Sequence, residues 1–199
     1  VLLGDPLDGP PPSGVSSVGY DSDATLSLAL AHLTSMGHRR ILFVNREGSY
    51  HYDHLSQLFA RHAAEHGLSE HAVELRLGWG RDEREAQIPA LLTQASAPPT
   101  ALLVEGGVRA TRILQHLDDA GWPAPERVSV MALSPRVGGR HIREDLTCIL
   151  VFGQQILLRA AEILQEMTRQ SPPAVHVERI VPGFVKGRTC RALGGSPGA

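Results

Sequence analysis

The chain has 199 residues, of which 42% are hydrophobic and 20% charged. That composition belongs to a globular protein and excludes collagen-like, disordered and coiled-coil chains. A formal net charge of −2 and a pI near 6.6 exclude a strongly basic domain that grips nucleic acid by itself.

Val1-Leu2-Leu3 reads as a short strand, and the Pro/Gly-rich stretch 5–14 as a loop, because Pro10 to Pro12 cannot join a ladder. Val15 to Tyr20 is expected to be a strand. Asp21 and Ser22 are N-cap types, and Leu26, Leu28, Leu30 and Leu33 populate a helix to Met36 that Gly37 closes. Arg40 to Asn45 is a buried strand, His51 to His66 a helix ended by Gly67, and Val73 to Leu77 a strand. Then follow a helix over Asp82 to Gln94, a strand over Thr100 to Val104, a helix over Val108 to Ala120 and a strand over Val128 to Leu133. Thr147 to Val151 is a strand, Gln154 to Met167 a helix, and Val175 to Val185 holds one or two further strands. The alternation predicts an α/β fold, a parallel sheet with helices on both faces. Apolar runs with little alternation fit strands buried on both sides.

No apolar run approaches the roughly 20 residues of a membrane span. The chain starts without Met and shows no signal peptide, so it is expected to be part of a longer protein. Two cysteines, Cys148 and Cys190, are too few for a disulfide scaffold and suit the reduced thiols of a cytoplasmic protein. His62 and His66 stand four apart on a predicted helix, with His54 one face away. They lack the intervening Glu and third ligand of a helical zinc site, so they read as surface histidines and no metal is expected. Arg39 and Arg40 read as a solvated pair. No nucleophile elbow, dinucleotide fingerprint or Cys-x-x-Cys pair is present, and no enzyme or cofactor is expected.

Five blocks carry a resemblance. They are Asp21 with Ala29, His32 and Leu33 before Gly37-His38-Arg39-Arg40-Ile41; Pro99-Thr100-Ala101 with a helix ending Ala120-Gly121; Pro125-Glu126-Arg127-Val128-Ser129-Val130; Leu146-Thr147-Cys148-Ile149 with Ala160 to Leu164; and Phe184 to Thr189. In this order they resemble the sensor domain of the lactose/galactose-repressor (LacI/GalR) family of bacterial transcription regulators, and they span nearly the whole chain. The resemblance implies a type I periplasmic-binding-protein-like fold with one near-complete lobe (21–146 and 175–190). It implies remnants of an N-terminal lobe (1–20 and 147–170) and a flexible tail (191–199). An N-terminal part of the domain and the DNA-binding head are expected to lie outside this sequence. The apolar stripe of the helix at 154–167 then needs cover, from a partner or from repacking within the chain.

The ligand-reading residues the resemblance implies are mostly replaced. The family's Arg on the second helix is Leu55, its Asn-Asp pair is Gly106-Gly107, its Asp is Ser134, and a cleft Gln is Val151. Charged hydrogen bonds contribute about 1.5–3 kcal/mol each, so a conventional sugar site is not expected. Trp79 falls where relatives place a stacking aromatic, and Tyr50 and Tyr52 stand nearby as companions. The Glu105-Gly106-Gly107 turn is read as a tight turn ahead of a helix, with an anion seat as the sharper alternative. The expected protein is the sensing and dimerising region of a regulator, with a small-molecule effector, operator DNA reached through the absent head, and a homodimer. The alternatives are a solute-binding protein of a transporter and a degenerate lobe kept for dimerisation.

Overall fold

A computed structural model describes residues 1–4, 12–78, 83–135, 143–151, 153–169 and 174–194. β1 (Leu2–Leu3) and β2 (Ser17–Tyr20) lead into α1 (Ser22–Ser35), β3 (Ile41–Arg46), α2 (Tyr50–Glu65) and β4 (Ala72–Leu77). A 3-10 turn (Glu83–Gln87) precedes α3 (Ile88–Gln94). Then come β5 (Ala101–Glu105), α4 (Gly107–Asp119), β6 (Ser129–Pro135) and β7 (Thr147–Val151). The described chain ends with α5 (Gly153–Arg169), β8 (Val177–Ile180) and β9 (Gly183–Val185).

The strands form two sheets. The large one has the order β4-β3-β5-β6-β7-β9, parallel except that β9 runs antiparallel to β7. The small one has the order β1-β2-β8 and is parallel throughout. β3, β5 and β7 are buried almost end to end, which is why their sequences do not alternate. On one face of the large sheet Leu26, Leu30, Leu33, Phe59 and Leu68 meet Ile41, Phe43, Leu103, Met131 and Ile149. On the other, Ile88, Leu92, Ile113, Leu114 and Leu117 meet Leu42, Val44, Leu102, Val104 and Val130.

Local chemistry sets the helix ends. Asp21 Oδ1 accepts from the Ala24 amide at 2.8 Å, as expected of an N-cap. Gly37 takes φ +87°, and the His38 amide reaches back to the Leu33 carbonyl at 3.0 Å, closing α1 in a Schellman-type turn. The helix expected over Asp82 to Gln94 is interrupted. Pro89 sits in the first turn of α3 and supplies no amide, so the α-helix begins only at Ile88, behind the 3-10 turn. Asp82 lies outside the described residues.

Sheet membership departs from the expected division at two strands. β7 pairs with β6 in the large sheet, although 147–170 was expected with 1–20. β8 pairs with β2 in the small sheet, although 175–190 was expected with the large one. β7 is apolar on both sides and fills the register beside β6. Pro182, which has no amide to donate, interrupts the ladder between β8 and β9, and the chain changes sheets there. The expected tail is bonded as far as Leu193, whose amide donates to the Met36 carbonyl at 2.8 Å; residues 195–199 lie outside the described ones.

The stripe of α5 is covered on one side only. Ala160 and Ile163 are buried against Val18, flanked by Ile156, Met167 and Ile180. Arg159 adds two hydrogen bonds to Glu178 of β8, at 2.7 and 2.6 Å. Leu157, Leu158 and Leu164 remain 59, 58 and 49% exposed.

Candidate functional site

The site grows from the ends of two neighbouring strands. β3 finishes in Asn45-Arg46 and β5 in Glu105, with Gly106 next. Parallel strands bring these ends together, the place where open α/β sheets bind ligands. Arg46 Nε donates to Glu105 Oε2 at 2.5 Å, and its guanidinium carbon stands 5.6 Å from the centroid of the Tyr52 ring. Gly106 has φ +91°, and a Cβ there would stand 2.9 Å from Arg46 Nη2. The glycine therefore serves both the backbone turn and the seat of the arginine. Burial, followed by the Glu105 charge, holds the Tyr52 hydroxyl above its ordinary pKa.

A second wall comes from the small sheet. The Tyr20 hydroxyl, at the end of β2, shares a 2.5 Å hydrogen bond with His51 Nε2 in the first turn of α2. The two rings meet edge to face at 5.5 Å, and His51 meets Tyr52 at 5.1 Å. This contact joins the two sheets beside the Arg46 pair. Tyr50 lies outside it, parallel to His54 at 6.2 Å and 38% exposed.

A buried ionic cluster fixes the strand ends from below. Arg109 of α4 and Glu85 of the 3-10 turn each have side chains only 1% exposed. Arg109 Nε donates to Glu85 at 2.9 Å, and its two terminal nitrogens donate to the Gly78 and Asn45 carbonyls at 2.5 and 3.4 Å. Arg112 adds two bonds to the same carboxylate, both at 2.7 Å. Burial works against the Glu85 charge, but the bonds and charges of Arg112 and Arg109 outweigh it and hold the carboxyl below its ordinary pKa. Asn45 Nδ2 reaches the Tyr52 carbonyl at 2.9 Å and Glu74 at 2.8 Å, tying α2 and β4 to the same strand end.

The residues expected from sequence fall in different places. Gly106 and Tyr52 meet at Arg46, though Tyr52 is a core ring only 6% exposed. Leu55 is 2% exposed and packs in the α1–α2 core, so it offers no contact surface; an apolar side chain on that helix face turns inward. Gly107 opens α4 and its carbonyl accepts from Thr111 Oγ1 at 2.9 Å. Val151 is buried at the end of β7. Trp79 and the Ser134 side chain lie outside the described residues. Sequence reasoning missed Arg46, Tyr20, His51 and the Arg109–Glu85 pair. The available signal was charge at the ends of apolar strands, Asn45-Arg46 and Glu105, and an Arg on the apolar stripe of α4.

The histidines divide. His38 is fully buried, with Nδ1 3.0 Å from Thr100 Oγ1 and Nε2 3.0 Å from the Arg191 carbonyl, and burial lowers its pKa. His32 packs on Phe184 at 4.6 Å. Both are structural. His62 is not the surface residue expected: its side chain is 8% exposed, held between Asp23 at 2.6 Å and Glu65 at 2.9 Å where α2 lies on α1.

Two sheets joined at a ligand-type strand end define the architecture of a two-lobed binding domain. The sequence profile of the periplasmic-binding-protein-like domain family matches residues 30–190, and the chain belongs to that family. Among solved structures it is similar to a LacI transcriptional regulator from a Rhodococcus species, at 23% identity and a TM-score of 0.78, over 96% of this chain and 70% of that one. It is similar to a dimeric Lac repressor with a C-terminal deletion, at 17% identity and 0.79, over 96% of this chain and 68% of that one. It is also similar to a LacI-family regulator from Enterococcus faecium with bound ribose, at 20% identity and 0.75, over 89% and 66%. No curated protein matches the sequence.

Proposed function

We propose that the chain is the effector-sensing region of a LacI-type transcription regulator, and that its effector is not a neutral sugar. The large sheet with α1 to α4 is one lobe, and the small sheet with α5 belongs to the other. Binding between them biases their arrangement, and a homodimer passes the change to a DNA-binding head in the cytoplasm. The family match and the shared fold of regulators support the sensing role. The Arg46–Glu105 pair, seated over Gly106, carries the departure from sugars. The space beside Gly106 holds a guanidinium, and its carboxylate partner is Glu105.

Thermal-shift measurements on the full-length protein test this. Ribose, glucose, amino acids, nucleobases and aromatic acids form the panel. A ligand at 100 times its Kd adds about 2.7 kcal/mol of stability. Charged or planar ligands are expected to raise the melting temperature and the two sugars to leave it unchanged. A shift with ribose or glucose overturns the ligand class. A second reading, a lobe kept for dimerisation, is favoured by one observation: Arg46 and Glu105 already satisfy each other. No shift across the panel, with the dimer intact, selects it.

A further inference from the structure

We propose that a groove at the opposite end of the large sheet, between β4 and α3, binds a free aliphatic carboxylate. The groove arises because α3 is short. Its seven residues make two turns, so the sheet face at the start of β3 and β4 is left partly uncovered. The result is a groove of about 430 Å³ walled by Leu42, Val73, Leu75, Leu91 and Leu92. That volume falls in the ordinary range of small-molecule sites, about 300–1,000 Å³. Val73 and Leu91 are 56 and 49% exposed, so the apolar wall is open to solvent. Among the described residues no Phe, Tyr or Trp lines it, which suits a chain rather than a stacked ring.

Arg40 supplies the polar end. It is half-buried, not the solvated residue its neighbourhood suggested. Its Nε donates to the Pro98 carbonyl at 2.8 Å, which fixes the guanidinium plane. Its two terminal nitrogens have no partner among the described residues and match a carboxylate geometrically. Two acids also line the groove. Glu74 is already engaged by Asn45 and Ser56, and Glu70 is exposed. His71 beside them is exposed and adds no negative charge. This site is separate from the candidate cleft: Arg40 and Pro99 stand where β3 and β5 begin, Arg46 and Glu105 where they end.

Decanoate is the probe, titrated calorimetrically into the intact protein below its micelle concentration. One saturable site is expected, with 1-decanol and decyltrimethylammonium binding at least tenfold more weakly. Arg40→Gln and, independently, Leu91→Glu are each expected to weaken decanoate at least tenfold. Leu91 is exposed, so the second variant keeps its fold, and neither residue touches the cleft. Absence of saturable binding, preference for the cation, or affinity unchanged in both variants overturns the proposal. None of these results bears on effector sensing at the cleft.

Discussion

Replacing Glu85 with Gln isolates what holds the strand ends in place. The wild-type carboxylate accepts three charged bonds, one from Arg109 and two from Arg112. Gln keeps the shape and one acceptor oxygen, but it turns an N–H₂ group toward a guanidinium and removes the charge. Arg112 is a quarter exposed and can turn to water. Arg109 cannot, and keeps only the Gly78 and Asn45 carbonyls. Removing one partner of a buried pair costs about 3–5 kcal/mol, and the escape of Arg112 places this case near 3. Urea denaturation of both proteins at pH 7 measures it. The pH dependence gives a second reading. Glu85's folded pKa is depressed, so its contribution is present above the ordinary carboxylate value of 4.5 and is lost as pH falls through the lower folded value. The Gln variant should lack that part of the acid limb. A paired change, Glu85→Leu with Arg109→Met, should return to within about 2 kcal/mol of wild type, because two apolar residues leave no stranded charge. A loss below about 1 kcal/mol in the single variant refutes the view that this cluster fixes the site.

Gly106→Ala forces a side chain into a left-handed backbone and against Arg46. It should cost about 1–2 kcal/mol in urea denaturation, and an unchanged midpoint refutes the seat assigned to the arginine. Tyr20→Phe deletes the hydroxyl that joins the sheets and should cost about 1 kcal/mol. Hydrogen exchange should then quicken in the first turn of α2, and unaltered protection counts against the bridge. His38 is buried with a lowered pKa, so its stabilising contribution is full above the ordinary value of 6.5 and falls as pH drops below it. Denaturation between pH 8 and 5 should show a decline approaching about 1.4 kcal/mol per pH unit for one proton, and a flat profile contradicts a buried neutral imidazole.

The alternation of strands and helices was readable because the central strands are buried on both faces. Ile41 to Val44 and Ala101 to Val104 are apolar without alternation, and Gly37, Gly67 and Gly121 close α1, α2 and α4. The closing block Phe184 to Thr189 was recognised as a pattern, and the structure supplies its physics. A Cβ at Gly187 would strike the backbone of Asp145 and Leu146. Thr189 Oγ1 accepts from the Thr147 amide and donates to the Val130 carbonyl, so β6 and β7 are pinned by one hydroxyl. The sheet to which each strand belongs was not readable. Val177–Ile180 and Gly183–Val185 are both short and stand two residues apart, and only pairing partners distant in sequence decide between them.

The site resisted reading for a related reason. The resemblance implies replacements at single positions: Leu55 for an Arg, Gly106-Gly107 for a polar pair. Each looked like a loss. In the structure Arg46 Nη2 stands 2.9 Å from the place a Cβ on Gly106 would take. A side chain at 106 would press on the end of the Arg46 side chain, and the guanidinium would have to shift. Glu105 then neutralises the guanidinium, and Tyr52 offers it a ring face. Four residues thus form one unit whose members lie on β3, α2, β5 and the turn into α4, and no local window of sequence contains them. The Arg46–Glu105 pair places charge at these strand ends, which is why an ionic or planar effector is the first to try under the proposed function.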